Sequence, residues 1–319
     1  MKSLIRGVVT AFALAGTAAF AQQFPTKPIT VVVPNAPGGP NDMFARIMAA
    51  KLEPIFKQSV IIDNKAGGGT YTGGEFVARA APDGYTLLVN AYGGIQPHLF
   101  VKGLPVKLAE VLVPVAPLSE VPYLLYGPAT VPAKDLKEFV AYAKANPKKL
   151  NVAVYPGTAN SLEMIGFLKE QNLDVAQIPY SSTAAILTAM LRDEIHIYNG
   201  GISGPKAQMD EGKIKAFAVL GEKRDPAVPN VPTAKELGYD WVSSVYYTVF
   251  APPGTPPAIV KFLNEKINAV MHEPDVVERL EKAGSPVAPA ATPEQMATRL
   301  KREYDGLVKA AKLAGIEPQ

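Results

Sequence analysis

The sequence contains no cysteine. That excludes disulfides, thiolate metal sites, a cysteine nucleophile and a lipid-carrying amino-terminal cysteine. It holds three histidines, His98, His196 and His272, far apart and without ligand spacing. His272-Glu273 runs into Pro274, so no H-E-x-x-H zinc helix exists. Each histidine is read as structural or exposed, and no metal site is expected. No run of Lys and Arg interleaves with aromatics, which argues against a nucleic-acid footprint and against a polybasic membrane patch. After residue 21 no apolar run is long enough to span a bilayer. G-x-S-x-G is absent, and Gly201-Ile202-Ser203-Gly204 falls short of it. Gly67-Gly68-Gly69 fits neither the P-loop nor G-x-G-x-x-G. It reads as a plain flexible turn, with a ligand-facing loop as the alternative. Paired acids such as Asp193-Glu194 and Asp210-Glu211 sit in polar turns and read as solvated faces.

What remains is a chain of 319 residues, 48% hydrophobic and only 19% charged, which fits two medium domains and is no disordered chain. Residues 1–21 read as a secretory signal peptide: Lys2 and Arg6, an apolar stretch from Gly7 to Ala19, and the small-x-small signal Ala19-Phe20-Ala21. Its removal takes two of the 32 basic residues and leaves 30 against 29 acidic ones, a charge of about +1. The product is expected to be exported, soluble and unanchored.

Strand-like and helix-like stretches then alternate. Strands are expected at 29–33, 60–62, 85–89, 150–154, 175–178, 195–198 and 215–219. Helices are expected at 42–57, 74–80, 135–145, 161–170 and 182–192, the first carrying a stripe of Phe44, Ile47, Met48, Leu52, Ile55 and Phe56. Three helices close the chain, after Thr255-Pro256-Pro257, near Pro274-Asp275, and after Thr292-Pro293-Glu294-Gln295, a capping-box pattern. The alternation predicts an α/β protein with mostly parallel strands. No internal repeat is visible. Residues 111–126, irregular and proline-broken, read as a crossing into a second domain, and D-P-A-V-P-N-V-P-T at 225–233 as the return. The expected division is 22–120 plus 227–319 for the first domain and 121–226 for the second.

Several loops lie where a strand runs into a helix. In P-N-A-P-G-G-P-N-D, residues Asn35, Pro37, Gly38 and Gly39 precede a helix for which Asn41 is a good N-cap, with Asp42 in the first turn. Glycines let backbone N–H groups approach a ligand, and a helix N-terminus favours an anion. The stretch Tyr155-Pro156-Gly157-Thr158-Ala159-Asn160-Ser161 repeats the arrangement, as does Tyr180-Ser181-Ser182-Thr183. Asn199-Gly200-Gly201 ends one strand and Tyr92-Gly93-Gly94 follows another. Singly, each is more often an ordinary capped turn. Together, at the carboxyl ends of strands, they suggest a cleft between domains lined by hydroxyls, amides and N–H groups.

V-V-P-x-x-P-G-G-x-x-D at 32–42, A-P-D-G-Y-T-L-L at 81–88 and V-P-A-K-D-L-K-E at 131–138 resemble the tripartite tricarboxylate transporter solute receptors, the TctC or Bug family. Ile178-Pro179-Tyr180, Pro229-Asn230-Val231-Pro232-Thr233 and Ala251-Pro252-Pro253-Gly254-Thr255-Pro256 extend the likeness over nearly the whole chain. The resemblance implies a type II periplasmic binding protein, or Venus flytrap, with the ligand cleft between two domains. It implies no catalysis and no cofactor. The ligand would be a small carboxylate, held between 37–39 with Asp42 on one side and 158–161 with 180–183 on the other. The partners would be membrane permease subunits, the protein a monomer, and the place the periplasm of a Gram-negative bacterium.

The sequence also departs from the pattern. Asn160-Ser161-Leu162 lacks the histidine of Ser-Ser-x-His, and Pro179-Tyr180-Ser181-Ser182-Thr183 lacks the lysine of Pro-Tyr-Lys-Gly-Gly. Gly93-Gly94-Ile95-Gln96-Pro97 stands where relatives carry His-Ala-x-Asn-Pro. Tyr92, Tyr155, Tyr180, Tyr246 and Tyr247 leave room for an aromatic or longer carboxylate. Two other roles fit the same residues less well: a sensor feeding a membrane histidine kinase, and a secreted hydrolase, which lacks a nucleophile–base pair.

Overall fold

A computed structural model of the protein describes residues 24–155, 158–180, 182–202 and 204–315. The expected signal peptide, and Pro156, Gly157 and Ser181 of the expected site, lie outside the described residues. The strands are β1 (Ile29–Val33), β2 (Val60–Asn64), β3 (Thr86–Ala91), β4 (Val113–Pro122), β5 (Leu124–Pro128), β6 (Asn151–Val154), β7 (Ala176–Pro179), β8 (Tyr198–Gly200), β9 (Ile214–Val219) and β10 (Ser244–Ala251). The main helices are α1 (Pro40–Phe56), α2 (Tyr71–Ala78), α3 (Leu136–Ala145), α4 (Ala159–Glu170), α5 (Thr183–Met190), α6 (Pro257–Met271), α7 (Pro274–Lys282) and α8 (Pro293–Ala314).

The first sheet has the order β2-β1-β3-β10-β4. In the second lobe, β8-β5-β9 form one ladder and β6-β7 another. A parallel bridge from Val152 to Ile197 joins them, giving β7-β6-β8-β5-β9. The two lobes thus share one topology although no repeat is visible in the sequence. In each, three parallel strands are followed by an antiparallel strand arriving from the other lobe. The expectation of mostly parallel strands is therefore corrected to mixed sheets: β10 runs antiparallel to β3 and β4, and β5 to β8 and β9.

Strand β1 shows why its sequence is apolar throughout. Ile29, Val31 and Val33 pack into a core with Phe44, Met48, Leu52 and Ile267 on one face. Val32 packs with Leu88, Phe250, Met296 and Leu300 on the other. A sheet covered on both faces needs a continuous hydrophobic run. Strand β4 holds Pro114, Pro117 and Pro122, which made it read as irregular. It sits at a sheet edge with two register shifts against β10, where a missing N–H is tolerated.

The crossings are short. Only Tyr123 separates β4 from β5. Tyr123 N donates to Ser243 O (3.0 Å), Ser243 N to Leu220 O (2.7 Å) and Leu220 N to Tyr123 O (2.8 Å). Residues 227–243, expected in the first domain, pack instead with the second lobe. Ala234 and Trp241 are buried with Phe139, Phe167 and Phe217. Their apolar side chains follow the core that covers them, and the proline-rich stretch before them turns on the lobe surface rather than between lobes.

Candidate functional site

The loop after β1 is built around Asp42, which is 3% exposed. The helix begins earlier than expected: Gly39 is the N-cap and Pro40 the first helical residue, so Asn41 is not the cap. Proline suits that place because the N–H it lacks would have no partner. Asp42 then lies in the first turn and reaches back. Its Oδ2 accepts from Gly38 N (2.9 Å) and Arg46 Nε (2.8 Å). Its Oδ1 accepts from Arg46 Nη2 (3.0 Å) and Asn64 Nδ2 (3.1 Å). A carboxylate offers about four acceptor positions, and all are occupied. The Arg46 hydrogen bonds, with those from Gly38 and Asn64, outweigh burial and hold the carboxyl at about 2 rather than 3.8. Gly38, at φ +94, takes a left-handed conformation that a β-carbon would strain. Its N–H, expected to be free for a ligand, is used by Asp42. Gly39 N–H and the first-turn N–H groups of α1 are the donors left over.

Behind this loop runs an amide network. Asn41 Nδ2 donates to Asn35 Oδ1 (2.5 Å) and Asn90 Oδ1 (3.2 Å), and Asn64 Nδ2 also donates to Asn35 O (3.0 Å). Thr70 Oγ1 donates to Gly94 O (2.6 Å), which fixes the turn holding Gly67-Gly68-Gly69 beside the turn after β3. Asn41 Oδ1, Asn90 Nδ2 and Thr248 Oγ1 are buried without a partner. Thr248 sits opposite Asn90 in the β3–β10 ladder.

In the second lobe, Tyr155 N donates to Ser161 Oγ (2.6 Å), and Thr158 Oγ1 donates to Tyr155 O (2.6 Å). Thr158 Oγ1 also lies 3.1 Å from Ser161 Oγ. Asn160 and Asn199 clasp each other: Asn160 Nδ2 donates to Asn199 O (2.9 Å) and Asn199 Nδ2 to Asn160 O (2.8 Å). This pins the N-terminus of α4 to the end of β8. Asn199 Oδ1 and the Tyr126 hydroxyl are buried and unpartnered. Gly200 is required here, since a β-carbon would come within 2.6 Å of the Tyr198 ring and 3.0 Å of the Tyr126 hydroxyl. Ser182 caps its own helix by accepting from Ala185 N (3.2 Å). Thr183 and Tyr180 are half-buried beside it.

The two halves meet at Gly93, where a β-carbon would lie 3.9 Å from Ala159 Cβ. The turn after β3 therefore faces the N-terminus of α4. Tyr92, expected in the site, points the other way: its hydroxyl donates to Leu300 O (2.6 Å) in α8. Burial pushes that phenol well above its ordinary value. Asn64, Arg46, Asn90, Tyr126, Tyr198 and Thr248 were not expected, and Asn41 was expected only as a helix cap. The placement of Asn90 just before Tyr92-Gly93-Gly94 was the one local signal. Among the described residues no His/Cys/Asp/Glu group could hold a metal, and no helix is long and apolar enough to cross a membrane. His196 Nδ1 accepts from Asn151 N (2.9 Å), and His98 Nε2 bonds the Tyr304 hydroxyl (2.9 Å), so both are structural.

Residues 44–310 match the family model of the tripartite tricarboxylate transporter family receptor, TctC. A UPF0065 protein of Bordetella pertussis is 35% identical over 287 residues, covering 88% of each chain. The periplasmic binding protein BugD is similar in structure with a TM-score of 0.67, at 30% identity over 93% of this chain and 100% of its own. MatC from Rhodopseudomonas palustris, with bound malate, gives a TM-score of 0.66 at 33% identity over 91% of this chain and 100% of its own. The two-lobed α/β architecture is that of these binding proteins. By sequence and fold the chain belongs to the TctC receptor family, whose members are periplasmic solute-binding proteins and not enzymes.

Proposed function

We propose that this chain is an exported receptor that closes on a small carboxylate between its lobes and delivers it to the permease subunits of a tripartite tricarboxylate transporter. The observation that carries the reading is the approach of two helix N-termini to one cleft. The α1 end is linked through Asn41 to Asn90, beside Gly94, and Gly93 faces the first residue of α4. Free N–H groups and the dipoles of both helices favour an anion there. The malate bound in MatC is an anion of this class.

In this reading one carboxylate end meets Gly39 N–H and the first turn of α1, with Asn35 and Pro37 at the rim. The other meets the α4 N–H groups and the Ser161 hydroxyl, whose proton is not needed for its bond from Tyr155 N. Tyr155, Tyr180, Thr183 and Gly200 wall the cleft. Asp42, Tyr92, Thr158, Asn160, Ser182 and Asn199 hold the frame and leave the ligand to their neighbours. The moving units are 24–122 with 244–315 against 123–243, turning about Tyr123 and Ser243. The signal peptide, the monomeric state and the periplasm of a Gram-negative bacterium complete the proposal.

Thermal shift of the chain from Gln22 onward tests it, using mono-, di- and tricarboxylates, acidic amino acids and aromatic acids. At least one acid raises the midpoint in a concentration-dependent way, because ligand binds only the folded form. Its amide counterpart does not. If every acid leaves the midpoint in place, or the amide shifts it equally, the carboxylate reading fails.

A further inference from the structure

Beside the two crossings lies a cluster of acids and cations built around Arg299. Arg299 of α8 donates to Glu120 at the end of β4 (2.8 and 2.6 Å) and to Glu303 (2.8 Å). It also donates to Ser244 Oγ at the start of β10 (3.2 Å), and its guanidinium lies 4.0 Å over the Tyr246 ring. One arginine therefore ties both crossings to the last helix. A cavity of about 490 Å³ adjoins this clamp, bounded by α4, residues 238–242 and α8.

Glu163 projects from α4 into this region, one turn after Asn160 of the ligand-facing N-terminus. Its Oε2, the Trp241 indole N–H and the Ser243 hydroxyl are buried close together, none of them in a hydrogen bond of good geometry. Ser243 is itself the hinge residue. From α8, Glu303, Arg302 and Lys309 face the space, and from the return segment Asp240 does. The Glu222–Lys235 pair closes one side (2.6 Å) and Glu170 of α4 another, while Tyr123 of the first crossing also feels Glu163. Glu120 and Glu303 thus flank Arg299, while Glu163 lies near Glu303 and has no salt-bridge partner.

Helix α8 is anchored in both lobes. Met296 and Leu300 lie in the first-lobe core, whereas Leu307 and Ala311 pack on Leu162 of α4. A hinge rotation must shear α8 either against α4 or against the crossings, and Glu163 and Glu303 sit between the two anchors. We propose that this cluster is a proton-operated hinge latch, in which Glu163 takes up a proton in the lobe arrangement seen in this structure and releases it when the lobes rotate away from that arrangement. Entering that arrangement then carries proton uptake, and mildly acidic conditions favour it.

The direction follows from solvation. Desolvation raises the Glu163 carboxyl to about 7 from an ordinary 4.5, Glu303 adds to the rise, and the Ser243 and Trp241 groups only partly oppose it. Glu303 is raised as well, by burial, although Arg299 works against that. A rotation that admits water returns Glu163 to the ordinary range. The seen arrangement is thus favoured fully below 4.5 and loses that advantage as pH rises through about 7. In between, one proton shifts the balance by up to about tenfold per pH unit.

Trp241 is the only tryptophan of the chain and stands beside Glu163, so it reports directly. Its fluorescence, followed from pH 5 to 9 on the ligand-free protein, should show one transition with a midpoint near 7, set by Glu163. Glu163→Gln removes that transition, and X-ray scattering finds this variant as compact at pH 8.5 as wild type at pH 5.5. Glu303→Gln keeps the transition and lowers its midpoint, and carries the test alone if Glu163→Gln does not fold. A flat wild-type titration, an unchanged transition in Glu163→Gln, or an unmoved midpoint in Glu303→Gln overturns the latch. No ligand enters the experiment, so its failure leaves the carboxylate reading standing.

Discussion

Replacing Asp42 by Asn keeps the shape of the side chain and removes its charge. One oxygen becomes an amide that presents hydrogens either to Gly38 N and Arg46 Nε or to Arg46 Nη2 and Asn64 Nδ2, all of them donors. The loss can be gauged from the carboxyl itself, held at about 2 against an ordinary 3.8. That difference corresponds to roughly 2 kcal/mol favouring the folded, ionised form. The Arg46 side chain is 54% exposed, so solvent screening trims the figure to about 1–2 kcal/mol. In a chain of this size that lowers the melting midpoint by about 2–3 °C. The group is depressed, so the stabilisation is complete above its ordinary value and fades as pH falls from 3.8 towards 2. Melting of wild type and Asp42→Asn should therefore differ at pH 7 and converge near pH 2–3. Arg46→Met should reproduce most of the loss, and the double variant should cost less than the sum. A variant that melts within 1 °C of wild type at pH 7, or a gap that widens in acid, would refute the view of Asp42 as the tether of the β1–α1 loop.

Two further perturbations probe the frame. Gly94→Ala puts a methyl group 2.7 Å from Asn90 Oδ1 and 2.9 Å from Thr70 Oγ1, an overpacking cost of about 1–3 kcal/mol, whereas Gly93→Ala has 3.9 Å of room; thermal melts should separate them, and equal midpoints would count against the packing of that turn. Arg299→Met strands Glu120 and Glu303 in a partly buried place, with an expected loss of about 3 kcal/mol or more, so denaturant unfolding that differs by under about 1 kcal/mol would show that the clamp contributes little.

How much was readable beforehand differs from element to element. The capping box of Thr292 and Gln295 formed as its spacing predicted, because both bonds are local: Gln295 N donates to Thr292 Oγ1 (3.3 Å) and Thr292 N to Gln295 Oε1 (2.9 Å). The apolar stripe of α1 likewise found its core, though Ile55 stays 46% exposed. Strand β10, S-V-Y-Y-T-V-F-A, had no counterpart among the expectations, and β4 was obscured by its prolines. Both became legible only as neighbours: β10 lies between β3 and β4, and an edge place with shifted register excuses the N–H groups that β4 lacks. The return at 225–233 was misplaced because proline content marks a turn but not the core beneath it.

The amino-acid sequence by itself determined what local physics controls: the alternation of strands and helices, the apolar runs of covered strands, the caps, and the glycine turns at strand ends. Its motifs pointed to the TctC receptors, and the matched residues 44–310 bear that out. Only the tertiary structure decided which polar groups are already engaged. Gly38 N–H, Asp42 and Tyr92 all look available in the sequence. Their partners, Arg46 and Asn64 for Asp42 and Leu300 for Tyr92, stand 4, 22 and 208 residues away. The reach of a hydrogen bond is a few ångströms in space and has no counterpart in sequence distance. For the same reason Glu120, Arg299 and Glu303, with Glu163 near Glu303, came together only when the two crossings met the last helix.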